Sequence, residues 1–241
     1  MVALLTDYGL QDAYVGTMKG AILSTNPSAR IIDLTHDVPP QDVGEGSRVL
    51  AAALPYFPDG TVFVAVVDPG VGTDRAIVGV ETDRHILLAP DNGLLGFLPR
   101  KRRIVRISDS KYFLKPVSNT FHGRDIFAPV AGRLAKGVDL ARFGPAVKKV
   151  ATLPEDARGR VVAIDRFGNA ITNIPGDRVP RGARIKVGRT VVKSLSRTYG
   201  DVRKGAILAL VGSSGYVEIS VNQGSALKAG IHKGDTVTVT P

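Results

Sequence analysis

The chain has 241 residues, 44% of them hydrophobic, with no cysteine and a formal net charge of +10; that suits one large domain or two modest ones with a sizeable core, of ordinary globular composition. The missing cysteines exclude disulfides, thiolate metal sites and cysteine nucleophiles. No apolar run approaches the roughly 20 residues that span a bilayer, and the start Met1-Val2-Ala3-Leu4-Leu5-Thr6-Asp7 has no basic region or cleavage site, so a cytoplasmic protein is expected.

Residues 2–6 read as a strand and 12–25 as a helix, with Tyr14, Met18, Ala21 and Ile22 at i, i+4, i+7 and i+8 forming an apolar stripe. A second strand is predicted over 30–34. The following loop ends in a good N-cap, Asp42, ahead of a helix over 43–54. Strands follow at 61–67, 76–82 and 85–89, and a further helix at 123–135. This alternation predicts an α/β N-terminal domain over 1–150, a mostly parallel sheet with flanking helices. The pattern changes near Lys148, and 153–159 reads as a linker. Beyond it come short strands separated by glycines, at 161–164, 183–187, 207–211, 216–221 and 236–240, with no long helix. A C-terminal all-β, barrel-like domain over 160–241 is expected.

The positive charge raises nucleic-acid binding as a possibility. The basic residues are scattered, however, and the densest run, Arg100-Lys101-Arg102-Arg103, has no interleaved aromatic residues to stack on bases. It reads as a solvated turn. Neither a nucleic acid nor a membrane is expected as a partner.

Four constellations carry chemistry. The run 61–67, rich in β-branched residues, reads as a buried parallel strand and ends at Asp68-Pro69-Gly70-Val71-Gly72-Thr73-Asp74-Arg75. A carboxylate and a guanidinium thus sit at a strand's carboxyl end, where open α/β sheets bind ligands; the competing reading is an Asp–Arg pair that stiffens a loop. Asp7 ends the first strand, placed either to hold a ribose diol or to cap the next helix as an Asx-turn. His122, in Thr120-Phe121-His122-Gly123-Arg124-Asp125, lies in a turn before a helix and by itself reads as structural more readily than catalytic. Asp165-Arg166-Phe167-Gly168-Asn169, taken alone, reads as a β-turn with Gly168 at a special φ. The four histidines, His36, His85, His122 and His232, are widely spaced without an H-x-x-x-H pair, so no metal site is expected. Dinucleotide and Walker fingerprints are missing, as is the G-x-S-x-G elbow.

Taken in order, Thr6-Asp7-Tyr8-Gly9, Pro40-Gln41-Asp42, Phe57-Pro58-Asp59-Gly60, Asp68 through Arg75, Pro90-Asp91-Asn92-Gly93-Leu94-Leu95, Thr120 through Asp125, Asp165 through Asn173 and Ser213-Ser214-Gly215-Tyr216 closely resemble the S-adenosylmethionine hydroxide adenosyltransferases, relatives of fluorinase and chlorinase. The resemblance spans both domains. It implies an α/β N-terminal and a β-barrel C-terminal domain, a homotrimer, and sites between one subunit's N-terminal domain and a neighbour's C-terminal domain. It implies S-adenosyl-L-methionine as substrate, no cofactor, and a catalytic Asp, Arg and His that fall on Asp68, Arg75 and His122. It also places Asp7 at the ribose, Asp165 and Asn169 near the methionine amino group and adenosine, Ser213 at the methionine carboxylate, and Phe121 and Phe167 as pocket walls. Tyr216, Glu218 and Val221 lie on the strand that would reach the substrate.

Halogenating relatives carry tyrosine where this chain has Asp68, and fluorinase has serine at the position of Gly123. A carboxylate beside the reacting carbon repels a halide, so the expected reaction is hydrolysis to adenosine and methionine by in-line attack of water or hydroxide on C5′, with Asp68 or His122 taking the proton. Three rival readings make distinct demands. A non-catalytic adenosine or S-adenosylmethionine sensor binds without turnover. A metal-dependent nucleotide phosphatase using Asp7 and Asp68 stops on chelation. A basic nucleic-acid binder shows steep salt dependence.

Overall fold

A computed structural model describes residues 1–154 and 159–241. The chain divides into two compact units, Met1–Leu153 and Pro154–Pro241. The linker expected over 153–159 falls in part on 155–158, outside the described residues.

The first unit is built on six strands, β1 (Val2–Thr6), β2 (Ile31–Thr35), β3 (Val62–Val66), β4 (Ile77–Glu81), β5 (Ile86–Pro90) and β6 (Arg103–Arg106), in the order β2-β1-β3-β5-β4-β6. Residues 2–5 of β1 and all of β3 are apolar because helices and loops cover both sheet faces. Alternate residues feed two cores: Val2, Leu4, Val62, Val64 and Val66 meet Met18 and Ile22 of helix α1 (Tyr14–Thr25) and Val130 and Leu134 of the later helix α3 (Ala128–Leu134). Ala3, Leu5, Phe63, Ala65 and Val67 meet Leu50 of helix α2 (Val43–Ala53) with Leu94 and Leu95. The Asp42 carboxylate caps α2, accepting from the Glu45 N–H at 2.9 Å.

Three expectations need correction. The sheet is parallel only across β2-β1-β3-β5; β4 is antiparallel to both β5 and β6. Only residues 82–85 join β4 to β5, and a parallel crossover needs a dozen residues or more. Tyr14, placed in the apolar stripe of α1, is 49% exposed; the buried positions are Val15, Met18, Ala21 and Ile22. The helix predicted over 123–135 begins with a π turn, Gly123–Phe127. Pro129 has no N–H to return to the carbonyl of Asp125, and the N–H of Leu114 takes that carbonyl instead at 2.8 Å.

The second unit is all-β. Strands β7 (Val161–Ile164), β8 (Ala170–Pro175), β9 (Arg184–Val187), β10 (Thr190–Val192), β11 (Leu195–Ser196), β12 (Ile207–Val211), β13 (Tyr216–Val221) and β14 (Val237–Thr240) form two ladders, β11-β12-β13-β8-β7 and β10-β9-β14. Among the described residues these are separate sheets rather than one closed barrel, sharing a core of Val161, Ala170, Ile185, Val187, Val217, Ile219 and Val237. Strands β8, β10 and β11 were not anticipated; β10 and β11 are two to three residues long, too short for a period to register. No described helix is long and apolar enough to cross a membrane.

Candidate active site

Strand order reverses at the β1–β3 boundary. The chain leaves β1 through α1 for β2 on one side, then returns through α2 to β3 on the other. Such a reversal opens a crevice at the carboxyl ends of the two strands. β1 and β3 run in register, Val2 opposite Val62 through Thr6 opposite Val66. Asp7 and Asp68, which follow the two strands closely, therefore emerge at the same end of neighbouring strands.

Arg75 folds back over the turn that begins at Asp68. Its Nε donates to Oδ1 of Asp68 at 2.9 Å and its Nη2 donates to Oδ2, a two-pronged charged pair. The two side chains are only 11% and 5% exposed. The same Nη2 lies 2.8 Å from Nδ1 of His122. Since a guanidinium only donates, Nδ1 is the accepting nitrogen and the imidazole proton resides on Nε2. Burial, followed by the Arg75 charge, holds the His122 pKa below its ordinary 6.5, so the ring is neutral at pH 7. The Asp68 and Arg75 charges offset each other, and neutral His122 adds none.

Gly72 lets the two loops meet. It has φ +80°, and a Cβ there would overlap the carbonyl oxygen of Asn119, three residues before His122. On the other flank, the Asn92 side chain donates to the carbonyl of Val67 at 2.8 Å, fixing the backbone just ahead of Asp68. The role of Asn92 was not assigned from sequence, although the Pro90-Asp91-Asn92-Gly93 turn was a visible signal.

Asp7 does not cap α1; the N-cap there is Ala13, without a side-chain bond. Instead its Oδ2 accepts the N–H of Gln41 at 2.8 Å, and Gln41 takes φ +66°. Phe121 packs edge-on against Tyr14 at 5.0 Å and Tyr8 at 5.8 Å, with the Arg124 guanidinium 5.2 Å from its ring. Arg124 also pairs with the buried Asp125, whose carboxyl is held below the usual carboxylate range by that bond and the Ser118 N–H, against the opposing effect of burial.

In the second unit Asp165, Phe167 and Asn169 share the turn between β7 and β8, with Gly168 at φ +85° as read from the sequence. Oδ1 of Asp165 accepts the N–H groups of Phe167 and Asn169, and Oδ2 accepts the Asn169 amide at 2.9 Å. Ser213 lies in the turn between β12 and β13, and Tyr216 opens β13. Because β8 and β13 are antiparallel, these two turns lie at opposite ends of that ladder. Glu218 sits between them, only 6% exposed. Its Oε1 accepts from Tyr199 and Ser220, each at 2.7 Å. Burial and then the bond to Glu218 push the Tyr199 phenol up to about 12. Val221 closes β13 opposite Ile207. Phe167 is 77% exposed.

The basic run 100–103 lies at the surface, paired with Asp83, Glu81 and Asp139. A cavity of about 760 Å³ nearby is lined by Asp91, Lys101, Ile104, Lys148 and Lys149, and none of Asp68, Arg75 and His122 lines it.

The model of the SAM hydroxide adenosyltransferase N-terminal domain matches residues 2–144, and that of the C-terminal domain matches 159–238. The chain belongs to the SAM hydroxide adenosyltransferase family. A Thermus thermophilus protein named (R)-S-adenosyl-L-methionine hydrolase is 41% identical over 97% of this chain and 96% of its own. A Salinispora tropica protein of the same name is 40% identical over 99% and 97%. A Nocardia brasiliensis fluorinase is more distant, 28% identical over 96% and 95%. The crystal structure of an uncharacterized conserved protein from Thermotoga maritima superposes with a TM-score of 0.93 at 39% identity, covering all of both chains.

Acidification gives this family member's site a definite signature. As pH falls through the depressed His122 pKa, Nδ1 gains a proton, loses the Arg75 bond and puts a second cation beside the guanidinium. A pH–rate profile is expected to be flat near neutrality and to fall on the acid side with an apparent pKa below 6.5. A rate that rises on acidification to pH 5 would contradict a neutral His122.

Proposed function

We propose that this chain hydrolyses S-adenosyl-L-methionine to adenosine and L-methionine, with Asp68, Arg75 and His122 aiming a water molecule at C5′. The observation that carries this reading is the hydrogen-bonded trio itself, at the carboxyl ends of the strands where the sheet order reverses. Curated relatives near 40% identity over almost the whole chain carry the hydrolase name, which supports it.

In the reaction the C5′–sulfur bond breaks as the C5′–oxygen bond forms. The sulfur leaves with the bonding pair as a neutral thioether, and water loses one proton. Positive charge on sulfur and developing negative charge on the attacking oxygen cancel along the path, which a poorly hydrated pocket favours. Arg75 is a poor base because it stays protonated; it steadies hydroxide-like character on the oxygen. His122 already carries its proton on Nε2 and gives Nδ1 to Arg75, so it is placed to donate rather than accept. In this reading Asp68 accepts the water proton, which the neutral, Arg75-bonded His122 supports. Holding water and carbon in line supplies on the order of 7–11 kcal/mol of barrier reduction. Asp7 holds the ribose hydroxyls, and Phe121 forms a pocket wall.

The remaining contacts, Asp165, Phe167, Asn169, Ser213, Tyr216, Glu218 and Val221, belong in this reading to the second unit of a neighbouring copy in a homotrimer. The exposure of Phe167, an aromatic wall without cover in one chain, supports this. Asp165 acts there chiefly by fixing Asn169, to which its carboxylate is bonded. Several relatives are named for the (R) form of the substrate, so separated sulfonium epimers are the proper assay.

Asp68→Asn is expected to lower adenosine release by about 10²–10⁴-fold while substrate affinity, read by calorimetry, stays within a few-fold. Wild-type turnover would remove Asp68 from the mechanism. The trimer is tested by light scattering, where three times the 25.5 kDa of one chain is expected. It is tested again by mixing inactive Asp68→Asn and Asn169→Ala subunits after dissociation: shared sites restore activity. A monomer, or a mixture that stays inactive, would oppose the shared site.

A further inference from the structure

Tyr8 follows Asp7 at the end of β1 and has no part in the roles above. Its ring is fixed on two sides, 5.8 Å from Phe121 in an edge-on contact and 6.0 Å from Tyr14. Its backbone N–H is bonded to Oγ1 of Thr6 at 3.2 Å. The hydroxyl is thereby delivered to the backbone of Gly123, next to His122: a Cβ on Gly123 would sit 2.6 Å from the Tyr8 oxygen and 3.2 Å from Cε2 of Phe121. Gly123 has an ordinary negative φ, so backbone strain does not demand glycine there. The space its missing side chain leaves is filled by the tyrosine hydroxyl. Among the described residues no protein group hydrogen-bonds that hydroxyl. Tyr8 is half-buried rather than sealed off, so its hydroxyl stays open to a water molecule or a ligand.

We propose that the Tyr8 hydroxyl is a further positioning group for the attacking water, holding it against the Asp68–Arg75–His122 cluster, and that Gly123 is glycine in order to admit it. This rests on the hydrolysis reading. Asp7 and Asp68 lie close enough to raise the Tyr8 pKa after burial has done so, and Arg75 close enough to oppose them. The phenol therefore remains a neutral O–H throughout the working pH range. It neither gives up nor gains a proton in the reaction; it contributes one directed hydrogen bond, leaving a lone pair of the water free to meet carbon. A neutral group suits the task, since a second anion would stiffen the hold on the water proton and a cation would repel the sulfonium substrate.

The test is a double-mutant cycle with Tyr8→Phe and Gly123→Ala, assayed by adenosine release. Tyr8→Phe keeps the ring stack, so Tm is expected to be unchanged while kcat falls at least about tenfold and KM moves little, as for loss of one fixed donor. Gly123→Ala is expected to lower kcat strongly alone but little in the Tyr8→Phe background, because the colliding atom is then gone. Wild-type kcat in Tyr8→Phe, or equal damage by Gly123→Ala in both backgrounds, would overturn the proposal. Wild-type protein in the same assay separates the two claims: wild type that releases no adenosine rejects hydrolysis itself, whereas an active wild type with an equally active Tyr8→Phe rejects only the tyrosine's role.

Discussion

One guanidinium is shared by a carboxylate and an imidazole, and the chemistry of the site hangs on that arrangement. Arg75 spends Nε and Nη2 on Asp68 and presents the same Nη2 to Nδ1 of His122. The bond sets the histidine tautomer, and the Arg75 charge joins burial in keeping the ring neutral. A lysine could not do this, because a point charge on a flexible stem lacks the planar fork that reaches both partners at once. With Asp68 balancing Arg75 and His122 uncharged, the trio itself carries little net charge, and Asp7 adds a carboxylate at the end of the neighbouring strand.

The fold delivers these groups by register and by close approach. In-phase pairing of β1 with β3 puts Asp7 and Asp68 at one sheet edge. The Asn92 amide ties down Val67, and Gly72 lets the Asp68–Arg75 loop touch the backbone ahead of His122. A wide π turn then begins immediately after His122, where Pro129 denies the helix an ordinary hydrogen bond. π turns recur at functional sites, and here the irregularity stands one residue from the imidazole.

Much of this was legible in the chain because burial on both faces leaves an unmistakable signal: continuous runs such as Val62–Val66 can only be interior strands. The chain ends of those strands, and hence Asp7 and Asp68, follow directly. Strand direction was not legible at β4, since alternation of strand and helix signals carries no information about a hairpin unless the four residues 82–85 are weighed against the length of a crossover. Tyr14 was misassigned because helical periodicity cannot tell the core edge from an aromatic platform. Long-range pairings were beyond reach: nothing local to Asp7 points to the Gln41 N–H, and nothing near Gly123 announces a tyrosine hydroxyl 115 positions earlier in the chain. The turn around Gly168 was read correctly as a turn, held by the Asp165–Asn169 hydrogen bonds.

The most direct measurement is turnover in water enriched in oxygen-18, with mass spectrometry of both products. Direct attack of solvent on the sulfonium-bearing carbon places one heavy oxygen in the 5′-hydroxyl of each adenosine and none in methionine. Unlabelled adenosine, or label in the amino-acid product, would contradict a water molecule aimed at C5′ by Asp68, Arg75 and His122.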